Sequence, residues 1–236
     1  MKVLALDTSS PTTAVAIVDG QRVLAEDDSA SEERHGAVLL PRIEAQLHAA
    51  GLPLQALELI AVGLGPGSFT GLRVGVATAK GLALATSLPV RGVSTLEALA
   101  LPLLEHAERA LVVLDAGRDE LYAAAYARAG ARPALLLPPL RAPLPDLLGH
   151  LSELTRVHGA ISVCGDGARL HAHALADRLG TTCAPADRGC DRPRGRYVAR
   201  AAIAAFVAEG ASDLATLEPT YLRDSDAKLP DEPLAI

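Results

Sequence analysis

The sequence has very few aromatic residues. It holds no Trp, two Phe and four Tyr among 236 residues, so its core must be built from Ala, Leu and Val. Half of the chain is nonetheless hydrophobic, which excludes a disordered polymer and leaves room for one large or two small globular units. Cysteine is scarce as well. Cys164, Cys183 and Cys190 are odd in number and widely spaced, which argues against a disulfide framework and for a reducing compartment. Long apolar runs are missing. The nearest, Leu72–Leu88, is interrupted by Arg73 and Lys80, short of the roughly 18 residues a span requires. The apolar start of MKVLALDTSS breaks at Asp7, too early for a secretory leader. The cytoplasm is the expected compartment.

Familiar catalytic signatures are absent too. There is no HExxH, no GxSxG and no CxxC, so zinc-peptidase and hydrolase readings have no support. His171-x-His173 and the three cysteines lack the paired spacing of a metal site, and are read as exposed imidazoles and small buried thiols. The net charge is −6. Although 19 of the 22 basic residues are arginine, this balance does not favour holding a polyanion unaided.

What is present reads as α/β. Val3–Leu6 is a buried strand, and Thr13–Val18 and Gln21–Glu26 follow as a hairpin around Asp19-Gly20, a pair suited to a turn with positive φ. Val38, Leu39, Ile43 and Leu47 form a helical stripe ending at Ala50 before Gly51 and Pro53. Pro41 is tolerated if it lies in the helix's first turn. Ile60–Gly63 is a strand, Gly71–Ser87 a helix, Pro89–Gly92 a lead into a fifth strand, and Thr95–Arg109 a helix. Leu111–Asp115, a turn, and Leu121–Arg128 repeat the opening motif loosely, which points to duplication. Pro133–Pro145 reads as a surface connection. Ile161–Cys164 is a strand, Leu170–Leu179 a helix, 184–196 a loop and Tyr197–Glu209 a helix. The lobes expected are 1–109 and 110–223, with the last helix packing back on the first lobe. Residues 224–236 read as a poorly ordered tail.

Three constellations could carry function. Gly63–Gly71, GLGPGSFTG, joins a strand to a helix whose N-terminus offers free N–H groups to an anion. It lacks the Gly-Lys-Ser/Thr of a phosphate loop and reads equally as a tight turn capped by Ser68 or Thr70. Asp7-Thr8-Ser9-Ser10 ends the first strand. It can hold a metal–phosphate group or form an Asx-turn. Together with Asp115 and Gly165, the residues Asp7, Thr8, Ser9, Gly65 and Gly67 are the candidate nucleotide or phosphate contacts. Finally, Gly71, Gly75, Ala79 and Ala83 recur every four residues on a helix that is apolar nearly all round. Such a helix must be covered by its own fold or by another chain.

These residues resemble a known family. MKVLALDTSSPTTAVAIVDG at Met1–Gly20, Arg34-His35, AVGLGPGSFTG at Ala61–Gly71 continued by Leu72-Arg73-Val74-Gly75, Val93-Ser94-Thr95-Leu96-Glu97, Leu114–Tyr122 and Pro219-Thr220-Tyr221-Leu222-Arg223 are similar to the TsaB (YeaZ) family, and GPGSFTGLR is specific to it. The resemblance implies an actin-like (ASKHA, ribonuclease H-like) fold of two related lobes. It implies an accessory subunit that activates its paralogue TsaD in threonylcarbamoyl transfer to the adenosine beside the tRNA anticodon, not an enzyme by itself. The implied partners are TsaD, TsaE and, when alone, a second copy, with tRNA reached through TsaD. No cofactor is expected of this chain, and ATP or ADP with Mg could lie at the partner interface. TsaD carries a His-x-x-x-His metal pair whose positions correspond here to Thr95 and Leu99, which cannot replace two imidazoles. The expected partner or dimer interface is His35, Leu39, Ile43, Gly71, Gly75, Thr78, Ala79 and Leu82. The competing reading is an autonomous nucleotide-binding phosphotransferase or ATPase of the same fold.

Overall fold

Along the first strand, β1 (Lys2–Asp7), the side chains alternate between two buried layers. Val3 and Ala5 enter one core and Leu4 and Leu6 the other, as the two-residue period of a strand covered on both faces requires. In the computed structural model, which describes residues 1–30, 34–179 and 190–222, β1 is the middle of a five-stranded sheet of order β3-β2-β1-β4-β5. Strands β2 (Ala14–Asp19) and β3 (Arg22–Asp27) continue antiparallel from it, while β4 (Leu59–Gly63) and β5 (Val90–Val93) run parallel to it. Gly20, at φ 59°, turns the first hairpin, a conformation that glycine adopts without a Cβ penalty.

Two helices cover the Leu4/Leu6 face. Helix α1 (His35–Ala50) contributes Leu39 and Ile43, and α2 (Phe69–Thr86) contributes Val76, Ala79 and Ala83. Pro41 lies in the second turn of α1, not the first. Its missing N–H would have bonded the Ala37 carbonyl, and Ala37 and Pro41 are both exposed, so water can take that acceptor. Gly51, at φ 66°, closes α1 with N–H bonds back to His48 and Leu47.

A second, four-stranded sheet of order β8-β7-β6-β9 repeats the plan. Strands β6 (Arg109–Gly117), β7 (Glu120–Ala127) and β8 (Ala134–Pro143) form an antiparallel meander, and β9 (Ser162–Cys164) lies parallel to β6. This is the same meander-then-parallel order as in the first sheet, so the fold is α/β with two halves built on one plan. Between them lies α3 (Thr95–Leu104), buried along its whole length. Ala98 and Leu101 face the first sheet, and Leu96, Leu99, Ala100 and Leu103 face the second. It stops five residues short of the expected Arg109, because Arg109 already pairs with Ala127. The last described helix, α7 (Gly195–Glu209), lays Val198, Ala199, Ala202 and Ala205 on the Val3/Ala5 face of the first sheet. A Cβ at Gly195 would strike the Ala16 backbone nitrogen at 2.7 Å.

The structure departs from the sequence reading in the second half. Pro133–Pro145 is largely the edge strand β8. Pro138 and Pro139 fall in a register break between the pairs Ala123–Leu140 and Ala125–Leu137, where a missing N–H costs no ladder bond. Helix α4 (Leu144–His158), unforeseen, follows it and buries Leu147, Leu151 and Leu154. Helices α5 (Asp166–Leu170) and α6 (Ala172–Leu179) complete that side. The tail at 224–236 and Cys183 lie outside the described residues. Among the described residues no helix is long and apolar enough to cross a membrane.

Candidate functional site

The turn after β1 and the glycine turn before α2 are packed against each other. Asp7 is 1% exposed. Its Oδ1 accepts the Ser9 N–H at 2.7 Å and the Ser9 hydroxyl at 2.6 Å, and its Oδ2 accepts the Thr95 hydroxyl at 2.8 Å. Thr95 Oγ1 in turn accepts the Gly65 N–H at 3.2 Å. Ser68 N–H donates to the Ser9 carbonyl at 2.7 Å, and the Thr8 hydroxyl donates to the Gly71 carbonyl at 2.7 Å. Ser68 also caps α2 by accepting from Gly71 N–H at 3.2 Å. Burial pushes the Asp7 carboxyl above its ordinary range. The bonds from Ser9 and Thr95, with the more distant His35, oppose that shift only in part.

The glycines explain why the two turns meet. A methyl at Gly67 would strike the Ser9 carbonyl, one at Gly71 the Thr8 carbonyl, and one at Gly75 the Thr8 hydroxyl. The absent side chains let backbone carbonyls approach at Gly67 and Gly71, and the Thr8 hydroxyl at Gly75. So Asp7, Thr8, Ser9, Gly65 and Gly67 do come together, but on one another. Both Asp7 oxygens, the Gly65 N–H and the Thr8 hydroxyl are thus engaged within the chain.

Asp115 and Gly165 make their contacts within the second half. Asp115 is exposed, and its Oδ1 accepts Gly117 N–H at 2.8 Å, an Asx-turn leading into Arg118 and Asp119, both at positive φ. Asp166 Oδ1 accepts the N–H groups of Asp115 and Gly167 at 3.0 and 2.8 Å. A Cβ at Gly165 would overlap the Val113 carbonyl, so its role is close packing of backbone. His35 Nδ1 lies 2.7 Å from Thr13 Oγ1 at the start of α1. Thr95 bonds to Asp7, and Leu99 packs in the core with Val112 and Cys164. Among the described residues no group of three His, Cys, Asp or Glu is placed to hold a metal.

Most of the residues expected at an interface lie inward in this fold. Leu39, Ile43, Gly71, Gly75 and Ala79 are buried in this chain's own core. Their stripe faces the sheet, because small residues are needed where α2 crosses the Thr8 backbone. His35, Thr78 and Leu82 are half-buried. The surface that α1 and α2 present consists of other residues. Arg73, Ala77, Gly81 and Leu84 run along the outside of α2, with Leu84 75% exposed, and Leu40 projects from α1 at 55%. Phe69 and Tyr221 stand beside Arg73 at the N-terminal end of this stripe. The sequence carried a signal for these residues, the opposite face of the same four-residue spacing.

Comparison with known proteins places this arrangement. A family model described as TsaD: tRNA N6-adenosine threonylcarbamoyltransferase matches residues 28–230. The tRNA threonylcarbamoyladenosine biosynthesis protein TsaB of Bacillus subtilis (strain 168) is 30% identical over 230 residues, 97% of this chain and 96% of that protein. Its namesake in Escherichia coli (strain K12) is 38% identical over 130 residues, 54% of this chain and 56% of that protein. The solved structure of YeaZ from Pseudomonas aeruginosa superposes with a TM-score of 0.75 at 26% identity, covering 94% of this chain and 99% of that one.

Proposed function

Because the chain belongs to the TsaB (YeaZ) family of tRNA threonylcarbamoyladenosine biosynthesis, we infer that it works there as a docking and activating subunit with no chemistry of its own. The observation that carries this reading is the closed Asp7 turn. A carboxylate that would anchor a metal–phosphate group in an actin-like enzyme is here hydrogen-bonded on both oxygens by Ser9 and Thr95 and shielded from water. These bonds give Asp7 a structural role in the turn, which supports the reading of a chain without chemistry of its own.

The outer face of α1 and α2 supports the docking half of the reading. Leu40, Ala77, Gly81 and Leu84 expose apolar and backbone surface with little charge, the kind of helix face that small residues allow a second helix pair to approach. The partner is the catalytic paralogue TsaD. In its absence the same face pairs two copies, and TsaE and tRNA join through TsaD. Adenine nucleotide with magnesium belongs, on this reading, at the joint with the partner and not in the Asp7 turn. The compartment is the cytoplasm, where tRNA is modified.

Reconstitution tests this directly. Threonylcarbamoyl transfer to tRNA by TsaD and the remaining components should require this chain. The purified chain alone with ATP and magnesium should show no turnover above a no-protein control. Robust turnover by the chain alone would establish the phosphotransferase or ATPase alternative.

A further inference from the structure

Two of the six aromatic residues in this chain are set on its surface, side by side, around one arginine. Phe69 is 51% and Tyr221 43% exposed. Their rings lie 5.2 Å apart, the Arg73 guanidinium carbon sits 3.8 Å over the Phe69 ring, and Arg73 Nε donates to the Tyr221 hydroxyl at 3.1 Å. Phe69 and Arg73 come from GPGSFTGLR and Tyr221 from Pro219-Thr220-Tyr221-Leu222, so two distant motifs converge on one spot. Thr220 fixes the second motif by donating its N–H to the Leu64 carbonyl at 2.8 Å. Tyr122 and Tyr126 are buried in the core, whereas Phe69 and Tyr221 are left outside beside a cation.

The chemistry of the bracket defines its ligand. Stacking and one hydrogen bond hold the guanidinium in place, so little rotamer freedom remains to be lost on binding. Its remaining N–H donors form a planar fork suited to a carboxylate. No carboxylate among the described residues pairs with Arg73, whereas Arg91, Arg132, Arg141, Arg194, Arg196 and Arg200 are each paired. Aromatic rings around an arginine also suit a nucleic-acid strand. Such a strand needs further cations along its path, and the stripe leading away from Arg73 is Ala77, Gly81 and Leu84, while Lys80 is turned to the Leu217 carbonyl at 3.2 Å. A protein is the better fit. Continuity with the docking face gives it a position at one end of that interface.

We propose that Arg73, held between Phe69 and Tyr221, receives an acidic side chain of the protein that docks on α1 and α2. The proposal rests on the docking reading above. The bracket acts as a selectivity element: an apolar face accepts many helices, and one oriented fork at its end rejects those without a carboxylate in register.

The test measures affinity for full-length TsaD of the same organism by calorimetry, with melting temperature as the control for folding. Leu84→Arg should abolish binding. Arg73→Glu should weaken it by about 30-fold or more, and Arg73→Lys by about 3- to 10-fold, since the point charge persists but the fork is lost. One acidic-to-arginine change among the surface carboxylates of TsaD should restore binding to Arg73→Glu. If Leu84→Arg disrupts the complex while Arg73→Glu binds within two-fold of the native chain, the bracket has no such role and docking stands. If Leu84→Arg also leaves the complex intact, docking and bracket both fail. Two further results overturn the proposal. One is loss of tRNA binding with TsaD affinity unchanged. The other is disappearance of the Arg73→Glu effect in a chain ending at Leu222, which would make this chain's own Asp224 or Asp226 the carboxylate.

Discussion

Thr95 reaches across 88 residues of sequence to place its hydroxyl 2.8 Å from Asp7 Oδ2. That bond joins the start of the helix between the two sheets to the end of the first strand. With Gly65 N–H bonded to the same oxygen, it also fixes the glycine turn.

Thr95→Val keeps the shape and removes the hydroxyl. A buried hydrogen bond contributes about 1 to 2 kcal/mol, more to a charged partner, so urea unfolding should show a loss of about that size. The sign with pH follows from Asp7, whose folded-state carboxyl already sits above its ordinary range. Losing the Thr95 donor raises it further, a penalty on the ionised form that adds to the pH-independent cost of leaving the Gly65 N–H unpaired. The deficit should therefore shrink as pH falls toward the range where Asp7 is protonated in the fold. A deficit independent of pH would assign the cost to packing and the Gly65 N–H, not to the Asp7 carboxylate.

Gly75 and Gly81 lie on the same helix and should respond oppositely to arginine. A side chain at Gly75 runs into the Thr8 hydroxyl and Leu6, whereas nothing lies within 4 Å of a Cβ at Gly81. Gly75→Arg should lose several kcal/mol of stability or fail to accumulate. Gly81→Arg should keep or raise the melting temperature, since glycine is the poorer helix former by about 1 kcal/mol. The same Gly81→Arg variant should bind TsaD at least about ten-fold more weakly in the calorimetric assay.

Asp28 gives a pH dependence of its own. Burial is the main cause that carries its carboxyl up to about 6, with Glu26 adding repulsion while Gly195 N–H and Arg194 pull it back. A carboxyl whose folded value lies above its unfolded 3.8 binds its proton more tightly in the fold. Stability from this group is thus greatest at the acid end and declines as pH rises from about 4 to about 6. Glu26, held below its usual range chiefly by Arg196 against the cost of burial, acts the other way and only at lower pH. Asp28→Asn should flatten the profile between pH 4 and 6 and gain on the order of 1 kcal/mol at pH 7. An unchanged slope in urea titrations across that window would contradict the assignment.

Glu97, 5% exposed, accepts from Arg132 Nε and Nη2 at 3.0 and 3.1 Å, and Arg132 Nη1 continues to Glu209 on α7. This network ties α3 and α7 to the turn between β7 and β8. Arg132→Ala leaves a buried carboxylate unpaired and should cost about 3 kcal/mol. The double variant with Glu97→Gln should recover part of it, as a double-mutant cycle in urea can read.

The legible parts of the fold were those with a local cause. The Asp19-Gly20 hairpin, the Gly51 stop and the duplicated meander all follow from short-range chemistry. The four-residue stripe on α2 was legible as one face, but spacing does not say which way a face points. The glycines match the nearness of Thr8, which is set by a strand 63 residues earlier. Pro138 and Pro139 read as a loop because the ladder register that accommodates them belongs to β7. Helix α4 was missed although Leu147, Leu151 and Leu154 carry its period, since the prolines before it drew the boundary too early. The Asx-turn of Asp7 with Ser9 is legible as one of two readings, whereas the bond from Thr95 is not, because Thr95 is 88 residues away in sequence.

One measurement bears most directly on a subunit that docks and does no chemistry: tRNA threonylcarbamoylation in the full reconstituted system, comparing Asp7→Asn with Gly81→Arg, each first shown to be folded. The account predicts that Asp7→Asn retains activity and Gly81→Arg loses it in step with its weaker binding to TsaD. A folded Asp7→Asn chain that binds TsaD normally yet abolishes modification would contradict it.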